Sequence, residues 1–198
     1  MKRRGFLIVL SGPSSAGKST LLDMVLKMDA ELCYSVSATT RSPRAGEKHG
    51  VDYFFHTEEH FMKMAGEGAL LEWANYCGNW YGTPRQYVME AIAEGKTVIT
   101  DVNIDGARQL RRTLPEGVFV FLMPPSLGEL RKRIVARGAD SEESMNMRLA
   151  AAAEEISAVV DYDYCILNDD LEKAARQLLA IIWAERCRVS RMEFPAVL

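Results

Sequence analysis

At 198 residues, with 48% hydrophobic and 26% charged side chains, the chain has an ordinary globular composition and is long enough for one well-filled core. Its 24 basic and 27 acidic residues leave a net charge of −3, which argues against a general nucleic-acid or membrane-surface binder and makes any basic site a local one. Cys33, Cys77, Cys165 and Cys187 are too far apart for a zinc or C-x-x-C pattern, so free thiols in a reducing cytosol are expected.

Met1-Lys-Arg-Arg ahead of Phe6–Leu10 has the outline of a signal peptide. The apolar run is too short for one, however, and ends at Ser11-Gly12-Pro13. No segment approaches a membrane span, and a cytoplasmic protein is expected. Phe6–Leu10 reads instead as a buried strand. The next stretch, Gly12-Pro13-Ser14-Ser15-Ala16-Gly17-Lys18-Ser19-Thr20, fits G-x-x-x-x-G-K-[ST], and Leu21, Leu22, Val25 and Leu26 then share one face of a helix over Lys18–Lys27. A strand, a glycine loop, a lysine and a helix make a phosphate site. Gly12 and Gly17 let the loop bend with its N–H groups turned inward, and the helix start adds a positive dipole end. Lys18 reaches the β- and γ-phosphates of a nucleotide, and the Ser19 hydroxyl ligates Mg²⁺.

Further strands are expected at Cys33–Ser37, Val98–Asp101, Val118–Leu122 and Tyr164–Leu167, and helices at Ile104–Leu114, Leu127–Arg137, Glu143–Val160 and Leu171–Arg188. Ser126 with Glu129 forms a capping box for the Leu127 helix. Met145, Leu149, Ala152, Ile156 and Val159 make one apolar stripe. This alternation predicts an α/β fold, a parallel sheet of P-loop NTPase type flanked by helices. Residues 38–95 differ in texture: glycines, aromatics and short strand-like pieces at Val51–Phe55 and Leu70–Tyr76, then Thr83-Pro84 as a helix start. They read as an inserted lobe of mixed β/α structure. Residues 137–148 read as a mobile loop flanked by Arg137 and Arg148.

Running into the insert, Ser37-Ala-Thr-Thr-Arg41-Ser-Pro-Arg44-Ala-Gly46-Glu47 sets two arginines in a Pro/Gly loop. Asp52-Tyr53-Phe54, Glu72-Trp73-Ala74 and Gly78-Asn79-Trp80-Tyr81-Gly82-Thr83 follow. In order and spacing these blocks resemble the acceptor-binding region of guanylate kinases. The glycine loop, Arg137-Gly138…Glu142-Glu143-Ser144…Arg148-Leu149 and Asn168-Asp169-Asp170 match the same family, so the resemblance spans roughly residues 5 to 183.

That resemblance implies a guanylate kinase, transferring phosphate from ATP with Mg²⁺ to GMP or dGMP. It implies a nucleotide-binding core (1–37, 96–126 and 161–198), a GMP-binding lobe (38–95) and a helical lid region (127–160). By resemblance, Arg41 and Arg44 grip the GMP phosphate, with Tyr53 and Tyr81 donating from their hydroxyls; the planar guanidinium fork suits phosphate oxygens. Glu72 faces the N1–H and 2-amino donors of guanine, which adenine cannot offer, and Ser37 and Thr83 set hydroxyls against the base. Without the family, Glu72 also reads as a solvated edge-strand charge. Asp101, ending its strand, lies near metal and acceptor. Asn103 stands where many members carry a second acid; it serves either the base or as the N-cap of the helix from Ile104. Ser15-Ala16 and Ser19 replace the commoner Gly-Val and Gly.

Arg137 and Arg148 close over the reaction as lid arginines and, with Lys18, Arg41 and Asp101, form the expected catalytic set. Arg133 is a further candidate or lies on an exposed helix face. Asn168 and Asp169 fall at the family's adenine contacts, while Asp170 suits a helix cap. The partners implied are ATP and GMP, with no nucleic acid and no membrane, in a monomer or homodimer. Two other readings remain open on the sequence: a related kinase with another phosphate acceptor, and a non-catalytic module that binds phosphorylated peptides.

Overall fold

A computed structural model of the chain describes residues 2–76, 78–136 and 142–194. In chain order the elements are β1 (Lys2–Arg3), β2 (Phe6–Ser11), α1 (Lys18–Met28), β3 (Leu32–Tyr34), β4 (Ala38–Thr39), β5 (Phe54–Phe55), α2 (Glu58–Gly66), β6 (Leu70–Tyr76), β7 (Asn79–Pro84) and α3 (Arg85–Ala93). They continue as β8 (Thr97–Asp101), α4 (Ile104–Thr113), β9 (Val118–Met123), α5 (Leu127–Ala136), α6 (Glu142–Ser157), β10 (Tyr164–Leu167), α7 (Leu171–Arg186) and β11 (Met192–Glu193). One sheet has the strand order β10-β9-β2-β8-β3, another β5-β4-β7-β6, and β1 pairs with β11. β9–β10 and β3–β8 run parallel. β2 and β9 are near-continuous apolar runs buried along their length, as expected of strands covered on both faces.

The chain forms two compact units. The first comprises Met1–Val9, Glu31–Val118 and Val189–Leu198; the second comprises Leu10–Ala30 and Phe119–Arg188. In the first, β4 pairs parallel with β5 and antiparallel with β7, and β6 and β7 form an antiparallel hairpin. Ala38, Phe61 and Leu70 are the core of this mixed lobe, with Phe54 and Trp80 packed on it. In the second, α5 and α6 bury Leu130, Ile134, Met145 and Ala152 against one another, so the apolar stripe read from sequence is used as a helix–helix seam.

Several boundaries differ from the sequence expectation. The strand placed at Cys33–Ser37 ends at Tyr34, and a second begins at Ala38, because the chain leaves one sheet for another there. Val51–Phe55 shrinks to Phe54–Phe55. Residues 48–52 are a turn instead: Asp52 accepts the Lys48 N–H at 2.8 Å, and Gly50 takes φ +79°. The helix expected at Thr83-Pro84 begins at Arg85, since both residues extend β7 and the Thr83 hydroxyl goes to Glu72. The loop expected over 137–148 is helical from Glu142, while Arg137 to Ser141 lie outside the described residues. α6 ends at Ser157 and continues as a 3₁₀ turn over Ala158–Asp161, and the last helix stops at Arg186. The expected caps of Ser126 and Asp170 are present, accepting the N–H of Glu129 and Lys173. Cys33, Cys165 and Cys187 are unbridged, and no described helix is long and apolar enough to cross a membrane.

α1 and α7 in the second unit are joined by a buried ion pair. The Arg186 guanidinium donates to Asp29 at 2.6 Å, both side chains are 7% exposed, and the Trp183 indole N–H adds a bond to the same carboxylate. Removing one partner strands a desolvated charge. Asp29→Ala is therefore expected to lower the unfolding free energy by about 3–5 kcal/mol in a urea titration, and Asp29→Leu with Arg186→Met to recover most of it. A loss below about 1 kcal/mol for the single change would show that water reaches the pair.

Candidate active site

The second unit carries the phosphate loop. β2 delivers Gly12, and α1 leaves from Gly17 at φ +101°, a conformation that favours glycine. A β-carbon at Gly12 would run into the Leu122 carbonyl, so the loop lies against β9 at the bare backbone. Ser15 also takes a positive φ of +65°, which costs a non-glycine residue free energy. The first turn of α1 has neither a side-chain cap nor an acidic residue. The positive dipole end of the helix thus meets no capping side chain and no carboxylate of its own first turn, which suits it to an anion.

Lys18 Nζ lies across this loop, donating to the carbonyls of Gly12 (2.5 Å) and Pro13 (3.3 Å). Ser19 and Thr20 are exposed in the first helical turn. A magnesium ion arriving on a triphosphate needs only one or two protein oxygens beside phosphate and water, and the exposed Ser19 hydroxyl is of that kind. Asn168 is buried and donates through Nδ2 to the Ala16 carbonyl at 2.7 Å, and Arg133 from α5 donates to the same carbonyl at 3.3 Å and to that of Asn168 at 3.2 Å. Arg133 is thus a loop support rather than an exposed charge. Asp169 pairs with Lys173 at 3.1 Å, which holds its carboxyl below the usual range. Arg137 lies outside the described residues, as does the side chain of Arg148 in α6.

The first unit carries the acceptor cluster. The Arg41 guanidinium bonds Glu47 at 2.8 Å and the Ser42 carbonyl at 2.8 Å, and it stands over the Tyr53 ring at 5.4 Å. Tyr53 and Tyr81 meet edge to face at 5.9 Å. Glu47 holds Arg41 more firmly charged, with the Tyr81 hydroxyl adding to it, and Arg41 in return pulls the Glu47 carboxyl below its ordinary range. Burial, then the nearby charge of Asp101, pushes the Tyr53 hydroxyl up to about 12, which keeps it a donor. Asp101 accepts the Tyr34 hydroxyl at 2.8 Å. Arg44 is exposed, and its N–H binds the other Glu47 oxygen at 2.7 Å. Arg41, Tyr53, Tyr81 and Asp101 are therefore brought together, with Arg44 on the rim loop.

A few residues away sits Glu72, only 5% exposed, accepting the Thr83 hydroxyl at 2.7 Å. The solvated edge-strand alternative for Glu72 is excluded. Burial pushes its carboxyl up to about 7, and the Thr83 hydroxyl and N–H pull it only partly back. A buried carboxylate with one partner has lone pairs to offer to further donors. Ser37 is buried, and its carbonyl takes the Phe54 N–H. Asn103 caps α4, its side-chain oxygen accepting the Gly106 N–H at 2.8 Å, so that oxygen is already engaged.

The sequence model of a protein family described as guanylate kinase matches residues 4–185. The guanylate kinase of Shouchella clausii is 51% identical over 193 residues, covering 97% of this chain and 94% of its own. That of Bacillus subtilis is 47% identical over 193 residues, covering 97% and 95%. The chain belongs to the guanylate kinase family. A crystal structure of guanylate kinase from Anaplasma phagocytophilum superposes with a TM-score of 0.81 at 34% identity, covering 96% of this chain and 90% of that one.

In this guanylate kinase family member, sequence reading passed over the groups that hold the candidates in place. Glu47 braces both arginine positions, and opposite charge six residues beyond Arg41 was the available signal. Tyr34 holds Asp101 from 67 positions away, and Asn168 reaches Ala16 across 152, separations that leave no local pattern.

Proposed function

We propose that the chain transfers the γ-phosphoryl group of ATP to GMP or dGMP, giving ADP and the corresponding guanine nucleoside diphosphate. The observation that carries this choice of acceptor is Glu72, a buried carboxylate beside Thr83 in a guanylate kinase family chain whose phosphate loop is complete. Guanine brings two adjacent N–H donors to that carboxylate. Adenine brings a lone pair, which leaves the desolvated charge unpaired and costs on the order of 10³-fold in selectivity.

The three-part organisation follows the roles: a core of 1–37, 96–126 and 161–198, a GMP lobe of 38–95 and a lid of 127–160. The backbone of Gly12 through Thr20 holds the triphosphate, Lys18 neutralises its β- and γ-oxygens, and Asn168 and Asp169 border the adenine. Ser19 would hold a Mg²⁺ ion arriving with the triphosphate, and the ion would supply positive charge against the phosphate oxygens. Arg41, Arg44, Tyr53 and Tyr81 hold the acceptor phosphate; Ser37, Glu72 and Thr83 hold the base, with Asp101 beside them, and Asn103, whose oxygen caps α4, has only its amide N–H₂ to offer the base.

A GMP phosphate oxygen is already nucleophilic, so no strong general base is required. It forms the new P–O bond as the bond to the β-phosphate oxygen breaks. The protein's task is to align the two anions and cancel their repulsion, a task shared by Lys18, Arg41 and the lid arginines Arg137 and Arg148. The widely spaced cysteines and the acidic net charge support a cytoplasmic enzyme with no nucleic-acid or membrane partner, which would act as a monomer or homodimer. An ADP-release assay offering GMP, dGMP, AMP, UMP and ribose 1,5-bisphosphate tests the proposal. Turnover is expected with the two guanine nucleotides; preference for AMP or the sugar phosphate overturns it.

A further inference from the structure

We propose that α4 is a positioning element for base selection, acting through Gly106 and Gln109 on the carboxylate of Glu72. The inference rests on Glu72 being the group that reads guanine. Among the described residues β6 is the outer strand of its sheet, with one edge lacking a strand neighbour. Its register against β7 slips by one residue between Leu70 and Glu72: Leu70 faces Pro84, Glu72 faces Thr83 and Trp73 faces Gly82. An extra residue of this kind weakens the ladder and redirects the side chains around it. Glu72 sits at that irregularity.

α4 supplies what the missing strand would. The Gln109 amide accepts the Trp73 N–H at 3.2 Å and returns a bond to the Trp73 carbonyl at 2.8 Å. One side-chain amide thus pairs both groups of a backbone residue. One turn further along, the Thr113 hydroxyl lies 3.3 Å from the Leu71 carbonyl, sharing its one proton with the Gln109 carbonyl of its own helix at 3.1 Å. Glu72 is therefore pinned from both sides in sequence by one face of α4, since positions 106, 109 and 113 fall in register on a helix.

At the helix start the contact is steric. A β-carbon on Gly106 would lie 2.5 Å from Glu72 Oε2 and 3.1 Å from its carboxyl carbon. Gly106 has no positive φ among the described glycines, so its backbone conformation does not call for glycine. Close approach of the carboxylate does, against a helix-propensity cost of up to about 1 kcal/mol. The same glycine donates its N–H to the Asn103 cap, so the carboxylate lies beside the positive end of α4.

The test compares Gly106→Ala, Gln109→Met and Glu72→Gln in the full chain, measuring kcat and KM for GMP, IMP and ATP. IMP keeps N1–H but lacks the 2-amino group, so the GMP-to-IMP ratio of kcat/KM reports the carboxylate contact. Gly106→Ala and Gln109→Met are each expected to raise the GMP KM about tenfold or more, shrink that ratio, and leave the ATP KM within about twofold. Adding Glu72→Gln to either should lower the ratio no further, as for groups acting through one contact. Gln109 is only part-buried, so its variant should stay folded if Gly106→Ala does not; a thermal melt checks both. If Glu72→Gln collapses the ratio while folded α4 variants keep it, the role of α4 is wrong and the reading of Glu72 stands. If Glu72→Gln itself keeps the ratio, the reading of Glu72 fails and this inference falls with it.

Discussion

Replacing Lys18 with alanine is expected to cut kcat by about 10³-fold or more while GMP still raises the melting temperature by close to the wild-type amount. Lys18 stands in the phosphate loop, with its ammonium on the Gly12 and Pro13 carbonyls. The groups proposed for GMP lie in the other compact unit. A group that neutralises charge developing at the β- and γ-oxygens contributes most in the transition state, so its loss falls on kcat rather than on acceptor affinity. Steady-state kinetics with a GMP-induced melting shift separate the two effects. Loss of the GMP shift with retained turnover would mean that donor and acceptor sites have been exchanged.

Glu72→Gln is expected to reduce kcat/KM for GMP by about 10²-fold, because the amide turns a donor toward guanine's donors and gives up the charge-assisted bond. The same change has a pH signature. Folded Glu72 titrates near 7, above the usual carboxylate range, so the folded form holds its proton more tightly than the unfolded chain. The resulting stability is present in full at acid pH, below the unfolded carboxyl's range, and is lost as pH rises through about 7. Near pH 8 the unliganded enzyme carries a buried charge that the glutamine variant lacks. The variant is then expected to unfold at higher temperature, by roughly 2–3 kcal/mol of stability, with the gap closing toward pH 5.

Base reading requires the carboxylate, so the wild-type advantage in kcat/KM over Glu72→Gln should fall as pH drops below 7. Taking that ratio cancels the titration of the GMP phosphate itself, which also occurs near pH 6. A ratio flat from pH 5.5 to about 8 would remove Glu72 from base reading.

The parts of this protein that were legible in its sequence are those with short-range signals. The phosphate loop has a fixed spacing, β2 and β9 are unbroken apolar runs, and α5 and α6 carry a stripe of helical period that becomes their seam. Arg41, Tyr53 and Tyr81 were found through family resemblance, and the geometry joins them around one guanidinium. Where local rules misled, a longer-range demand had won. Thr83-Pro84 has the chemistry of a helix start, yet the Thr83 hydroxyl is committed to Glu72, eleven residues back across the hairpin. Val51–Phe55 has strand-like composition, but Asp52 turns back on Lys48. Gly106 and Gln109 look like ordinary helix residues, and only the packing of α4 along β6 gives them meaning.

The carbonyl of Ala16 has one further consequence. Both of its lone pairs are engaged, by Asn168 and by Arg133. In a trans peptide the C=O and the N–H of the next residue point in antiparallel directions. Fastening the Ala16 oxygen therefore aims the Gly17 N–H away from that pair of side chains, and the 16–17 peptide cannot flip without surrendering two hydrogen bonds at once. This donor is thus oriented before any nucleotide arrives, so the anion that meets it has little reorganisation left to drive.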